Sequence, residues 1–184
     1  MRGRLTTSAT GTVDGMTEAN DLLLDAYGRI GESVPAVLEG LSADAAAYRP
    51  DEQANSVGWL VWHLTRVLDS HLADASGDEQ VLSAEGYEER LGLDLPAGDT
   101  GYGHDAADVA KVRFADVGLL ADYHSAVQDK AASYLRNVGD LGRVVDTNWD
   151  PPVTLSARLV SIVDDMARHI GQAEYVRGLV DRDG

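Results

Sequence analysis

Apolar residues recur at steps of three and four along four stretches of the chain, the period of a helix with one buried face. In the first stretch the stripe runs Leu23, Tyr27, Ile30, Val34, Val37, Leu38, Leu41, and Thr17 is its predicted N-cap. Pro35 falls inside it. A proline ring removes one main-chain hydrogen bond and crowds the carbonyl four residues back, here that of Gly31. The stripe keeps phase across the proline, so one kinked helix is expected rather than two pieces. The second stretch runs from Ser56, with Asn55 as cap, to about Ala75. Its opening, Val57 to Leu64, is apolar almost all round, which predicts a helix buried on most sides.

The third stretch spans Asp116 to Asn137, with Leu120, His124, Val127, Ala131, Tyr134, Leu135 and Val138 on one face. Gly139 and Gly142 then break the pattern. The prolines of Trp149-Asp150-Pro151-Pro152-Val153 demand extended backbone before each of them. Thr154 is the predicted cap of a fourth helix reaching about Val180, with Leu155, Leu159, Ile162, Val163, Met166, Ile170, Ala173, Val176 and Val180 inward. Between the second and third helices, residues 76–115 form a long, Gly-rich acidic crossover centred on Gly101-Tyr102-Gly103-His104-Asp105. Short helical pieces are expected around 84–91 and 106–113. No period-2 run is long enough to predict a sheet. The pattern predicts an all-α four-helix bundle with a long crossover between helices two and three. A connection of that length is either a lid over a site or a loop spanning two helices. Residues 1–16 lack an apolar segment and are expected to be a flexible tail, with one domain over 17–184.

Composition narrows the chemistry. The chain has no cysteine, which excludes disulfides, thiolate metal clusters and a cysteine nucleophile. Fifteen basic against thirty-one acidic residues give a formal charge of −16, so phosphate backbones and anionic lipids are repelled, and nucleic acid is not an expected partner. No apolar run approaches membrane-spanning length. A cytoplasmic location is expected, and a homodimer is carried as a further expectation.

Polar residues at inward positions are the informative exceptions. Asp165 and His169 are four apart on helix four, on one face and about 6 Å apart along its axis. His63 lies in the apolar opening of helix two. If those two helices are neighbours, two imidazoles and one carboxylate meet, a standard three-ligand set for Zn²⁺ with a position left open. The same donors suit Ni²⁺, Fe²⁺ or Mn²⁺. Read without a metal, the same spacing gives a plain hydrogen bond or ion pair beside a core histidine.

Two stretches together resemble a known family. Asn55-Ser56-Val57-Gly58-Trp59-Leu60-Val61-Trp62-His63-Leu64-Thr65-Arg66 is followed about a hundred residues later by Asp164-Asp165-Met166-Ala167-Arg168-His169-Ile170-Gly171-Gln172. Both are similar to the DinB-like superfamily, and most to the branch that holds mycothiol-dependent transferases and maleylpyruvate isomerases. Trp149-Asp150-Pro151-Pro152-Val153-Thr154-Leu155 also resembles that branch. The resemblance spans roughly residues 17–180. It implies a bundle that carries a divalent metal, zinc foremost and nickel next, on His63, Asp165 and His169. Many relatives have histidine at the middle position; the acidic residue here resembles the mycothiol-using branch.

The resemblance further implies a metal-dependent enzyme. A low-molecular-weight thiol, mycothiol, would be the cosubstrate for S-transfer to, or isomerisation of, a small electrophile. A metal-dependent hydrolase and a non-enzymatic metal-binding bundle are the alternatives. Other candidates are weaker. Arg158, two turns before Asp165, is a candidate anchor for a carboxylate of thiol or substrate, or else an interhelical salt bridge. His124 is a candidate proton shuttle, or a core histidine. His104 belongs to a lid or to a solvated loop, His71 is structural or exposed, and Gln172 is a candidate partner of a ligand. Trp59 and Trp62 read as packing.

Overall fold

The computed structural model describes residues 11–96 and 98–183. Four long helices carry it: α1 (Gly11–Leu38), α3 (Val57–Ser76), α7 (Val117–Asn137) and α8 (Leu155–Asp183), with a single turn, α2 (Ala43–Ala46), after the first. α1 packs on α7 and α8, and α3 packs on the same two, so α1 and α3 face each other across a diagonal of the bundle. The contact between α3 and α8 is the most extensive of any pair, which answers the question that spacing alone left open. The side chains between the four helices, among them Tyr27, Leu60, Leu64, Leu68, Leu120, Leu159 and Ile162, are almost wholly removed from water.

Caps set most helix boundaries. Ser56, not Asn55, caps α3: its Oγ accepts the Trp59 N–H at 3.1 Å, and Gly77 ends the helix at φ 78°. Asp116 caps α7 through the Gly118 N–H at 2.8 Å, and Thr154 Oγ1 accepts from Ala157 at the start of α8. α1 already runs from Gly11, so Thr17 lies inside the helix rather than at its cap. The helix thus takes in the end of the expected tail; residues 1–10 lie outside the described residues. α1 runs on through Pro35 as one helix.

The crossover holds three short helices, α4 (Val81–Ala84), α5 (Tyr87–Leu91) and α6 (Ala106–Lys111), close to where helical pieces were expected. Asp69 ties its beginning to the bundle. This buried carboxylate accepts the N–H groups of Val81 and Leu82 and the hydroxyl of Tyr123 at 2.8–2.9 Å, with Arg66 Nη1 at 3.4 Å. Tyr123 in turn accepts from Arg66 Nη1 at 3.0 Å. Burial pushes the Tyr123 hydroxyl well above its usual range, so it stays a protonated donor to Asp69. A short antiparallel hairpin, β1 (Val144–Asp146) with β2 (Val153–Thr154), leads into α8. Five strand residues were too few for a period-2 signal. None of the helices among the described residues is long and apolar enough to cross a membrane.

Candidate metal centre

His63 comes from the buried opening of α3; Asp165 and His169 come from the facing stretch of α8. One ligand atom from each lies within 4.8 Å of the others. His63 Nε2 is 3.8 Å from Asp165 Oδ1, and the two imidazole centroids are 4.5 Å apart. A tetrahedral ion with bonds of about 2.1 Å needs donor atoms about 3.4 Å apart, so a small closure of the group suffices.

The tautomers follow from the acceptors. His169 Nδ1 faces the carbonyl of Asp165 at 2.8 Å, and His63 Nδ1 faces the carbonyl of Thr100. A carbonyl only accepts, so each Nδ1 carries the proton and each Nε2 keeps a lone pair. This is how metal-binding imidazoles are ordinarily oriented. Asp165 Oδ2 is buried without a hydrogen-bond partner. It lies 3.4 Å from His169 Nδ1, which already donates elsewhere. A carboxylate with one buried, unpartnered oxygen, its Oδ1 3.8 Å from the free Nε2 of His63, grouped with a second imidazole, is a donor set that a divalent cation satisfies.

The two histidines titrate in opposite directions. Burial lowers His63, against the upward pull of the Thr100 carbonyl, and favours the neutral form that a ligand needs. Burial also pulls on His169, but the Asp165 carboxylate and carbonyl outweigh it and hold that imidazole above its usual range.

The crossover closes around His63. Trp59 lies parallel to the His63 ring, 4.7 Å between centroids. Its indole N–H donates to His104 Nδ1 at 3.1 Å, and His104 Nε2 donates to Asp99 at 3.0 Å. Asp99 also accepts the Gly101 N–H at 2.7 Å, while its carbonyl accepts from Arg66 Nε. Trp59 therefore does more than pack, and His104 is tucked in rather than solvated. Gly101, at φ +85°, presses on the site: a Cβ there would stand 2.9 Å from His63 Nδ1 and from Trp62 Cζ3.

The remaining candidates fall elsewhere. Arg158 Nη2 pairs with Asp146 of β1 at 3.0 Å, and Nη1 donates to His71 Nδ1, so its donors point at the hairpin and α3 rather than into the cleft. His124 is a core residue: its Nδ1–H donates to Thr65 Oγ1 at 2.9 Å, since that hydroxyl already donates to Val61. Gln172 is exposed and makes no hydrogen bond to a histidine or to Asp165 among the described residues. The Arg66–Asp69–Tyr123 cluster was missed. Its signal was an arginine and an aspartate three apart, just beyond the helix opening predicted to be buried on most sides.

A cleft of about 460 Å³ opens beside the group, lined by His63, Asp165, His71, Thr100, Tyr102 and Trp149 among others. That size suits a small-molecule ligand.

Comparison with known proteins agrees with this architecture. A crystal structure of a conserved protein from Enterococcus faecalis matches with a TM-score of 0.81 and 34% identity, over 87% of this chain and 95% of that one. No curated protein matches. A family model described as mycothiol-S-transferase matches residues 24–182. The chain belongs to the mycothiol-S-transferase family, on a DinB-like helical fold.

Proposed function

We propose that the protein is a metal-dependent thiol S-transferase or isomerase, with His63, Asp165 and His169 as ligands of one divalent ion, zinc foremost. The observation that carries this is the three-residue group itself: an Asp165 carboxylate with one buried oxygen unpartnered, beside two imidazoles whose Nδ1 protons are already engaged. A cation held by these three residues would supply the charge that lowers a thiol's pKa enough to lose its proton at neutral pH. Without a cysteine in the chain, the sulfur must come from a small thiol, and the family points to mycothiol.

The chain's own part is to hold and exclude. The Thr100 carbonyl fixes the His63 ring, and the Asp165 carbonyl fixes that of His169. Trp59, Trp62 and Gly101 exclude water behind His63. The thiol sulfur forms a bond to the electrophilic carbon, the leaving group departs with its electron pair, and the thiol proton passes to solvent. In isomerisation the same sulfur adds and later leaves. Such a reaction belongs where the small thiol is kept, in the cytoplasm.

Cobalt substitution tests the reading. Sulfur bound to cobalt gives an intense near-ultraviolet charge-transfer band. It should appear when mycothiol is added to cobalt-loaded protein and be absent in His169→Ala. No band at millimolar mycothiol would refute the thiol reading and leave activation of water at the same site, or a structural ion.

A further inference from the structure

The outer half of the cleft has a chemistry of its own. Two aromatic side chains line it from different segments: Tyr102 from the crossover and Trp149 from the loop between β1 and β2. Trp149 is 68% exposed and Tyr102 is 93% exposed. An indole is among the side chains with the most to gain from being covered, so one left in water over a cleft is a surface that a ligand would cover. Two serines line the same cleft. Ser161 Oγ donates to the Ala157 carbonyl and keeps its lone pairs for an incoming hydroxyl. Ser70 Oγ makes no hydrogen bond among the described residues and lines the same cleft.

The charge of the wall is equally specific. No lysine or arginine is among the residues lining the cleft. The nearest guanidinium, Arg158, is held by Asp146 and His71. Burial, then the Arg158 charge, keeps the His71 imidazole below its usual range, on the neutral side. The carboxylates of Asp74, Asp146 and Asp165 stand around it, on a chain of formal charge −16. Away from the metal-binding group, a ligand carboxylate or phosphate would meet no lysine or arginine of the lining and would be repelled by these carboxylates.

We propose that this outer half is a subsite for the uncharged, polyhydroxylated ring portion of the thiol cosubstrate. Trp149 is its stacking face, Tyr102 its opposite wall, and Ser70 and Ser161 the hydroxyl partners. The proposal rests on the thiol reading above and adds how the thiol is chosen: by a neutral ring against indole, with anionic thiols such as glutathione turned away by charge. Trp149 and Tyr102 are thus specificity-determining residues, set apart from the metal-binding group.

Trp149 reports its own occupancy. It is one of three tryptophans, and the other two, Trp59 and Trp62, are buried, so quenching of fluorescence by acrylamide reads Trp149. The probe is N-acetylglucosaminyl-inositol, which is uncharged and has no sulfur. It should lower the acrylamide quenching constant by about twofold or more, in zinc-loaded and in metal-free protein alike, because stacking covers one indole face. Glutathione at the same concentration should give no protection. Trp149→Ala should weaken calorimetric binding of mycothiol to the zinc-loaded protein about tenfold while zinc content and the thermal melt stay unchanged. No protection by the ring probe at millimolar concentration overturns the proposal. So does equal protection by glutathione, or protection by a simple aromatic such as benzyl alcohol in place of the ring probe, which would give the indole to the electrophile. Because the probe carries no sulfur and the metal-free protein is included, this result is separate from that of the cobalt experiment.

Discussion

Replacing Gly101 by alanine tests whether the crossover aims a metal ligand. The residue sits at φ +85°, where a side chain costs about 1–2 kcal/mol. The new methyl would also stand 2.9 Å from His63 Nδ1 and Trp62 Cζ3 and 3.1 Å from Trp59 Cζ2. These are anchored rings rather than free side-chain ends, so relief must come from the loop or from His63, at about 1–3 kcal/mol for overpacking. Together the two effects cost about 2–5 kcal/mol, a fall in melting temperature of roughly 4–20 °C for a domain of this size. Either way of relieving the clash separates the Thr100 carbonyl from His63 Nδ1. Loss of such an orienting partner lowers metal affinity about 10–100-fold. Thermal melts of metal-free protein measure the first effect, and competition with a chromophoric chelator measures the second. Wild-type zinc affinity in a destabilised variant would refute the coupling between crossover and ligand. A wild-type melt would refute the crowding itself.

Three other outcomes follow from the same structure. His63→Ala, Asp165→Ala and His169→Ala should each lower zinc binding well below about one equivalent per chain by elemental analysis; wild-type stoichiometry in all three would remove the site. Asp69→Ala should cost about 3–5 kcal/mol in urea unfolding, since it strands the buried Arg66 charge and frees the Val81 and Leu82 N–H groups; a loss under about 1 kcal/mol would count against that account. Burial holds His124 down at about 4, so below pH 6.5 the unfolded chain takes up this proton first; stability should fall by about 3 kcal/mol between pH 6.5 and 4 and then level off. His124→Asn should flatten that slope, and an unchanged slope would show that His124 is not its source.

Much of the fold was legible because its signals are local. The stripe from Leu120 to Val138 is read within one helix, and α7 runs over the span expected from it, with Asp116 as the cap that the structure adds. Asp165 and His169 were readable as a pair for the same reason: four residues on one helix fix their separation. That His63 would join them was not a local property. It depends on α3 packing against α8, and only the family resemblance bridged that gap. The small hairpin was not legible, since five strand residues in two pieces carry too little periodicity. Arg158 was placed by helix phase two turns from Asp165, which left a ligand anchor and an interhelical salt bridge both open. Its partner, Asp146, lies on that unseen hairpin, so the competing ion pair could not be weighed at its proper strength.

The same contrast divides the site by what each segment controls. Asp165 and His169 share a helix, and the hydrogen bond from His169 Nδ1 to the Asp165 carbonyl is made within a single turn. Their geometry is as stiff as α8 itself. His63 is stacked by Trp59 from its own helix, but no hydrogen bond within that turn fixes its tautomer. The bond that selects its tautomer comes from Thr100, thirty-seven residues away, and reaches it only when Asp99, Gly101 and His104 hold the crossover down. Substitutions in that segment should therefore act on how tightly an ion is held. The hairpin touches none of these bonds. It brings Trp149 to the outer cleft and Asp146 to Arg158, so changes there should act on which ligand is accepted while the ion stays bound. A bundle whose helices supply the donors can in this way vary affinity through one connection and selectivity through another, without repacking its core.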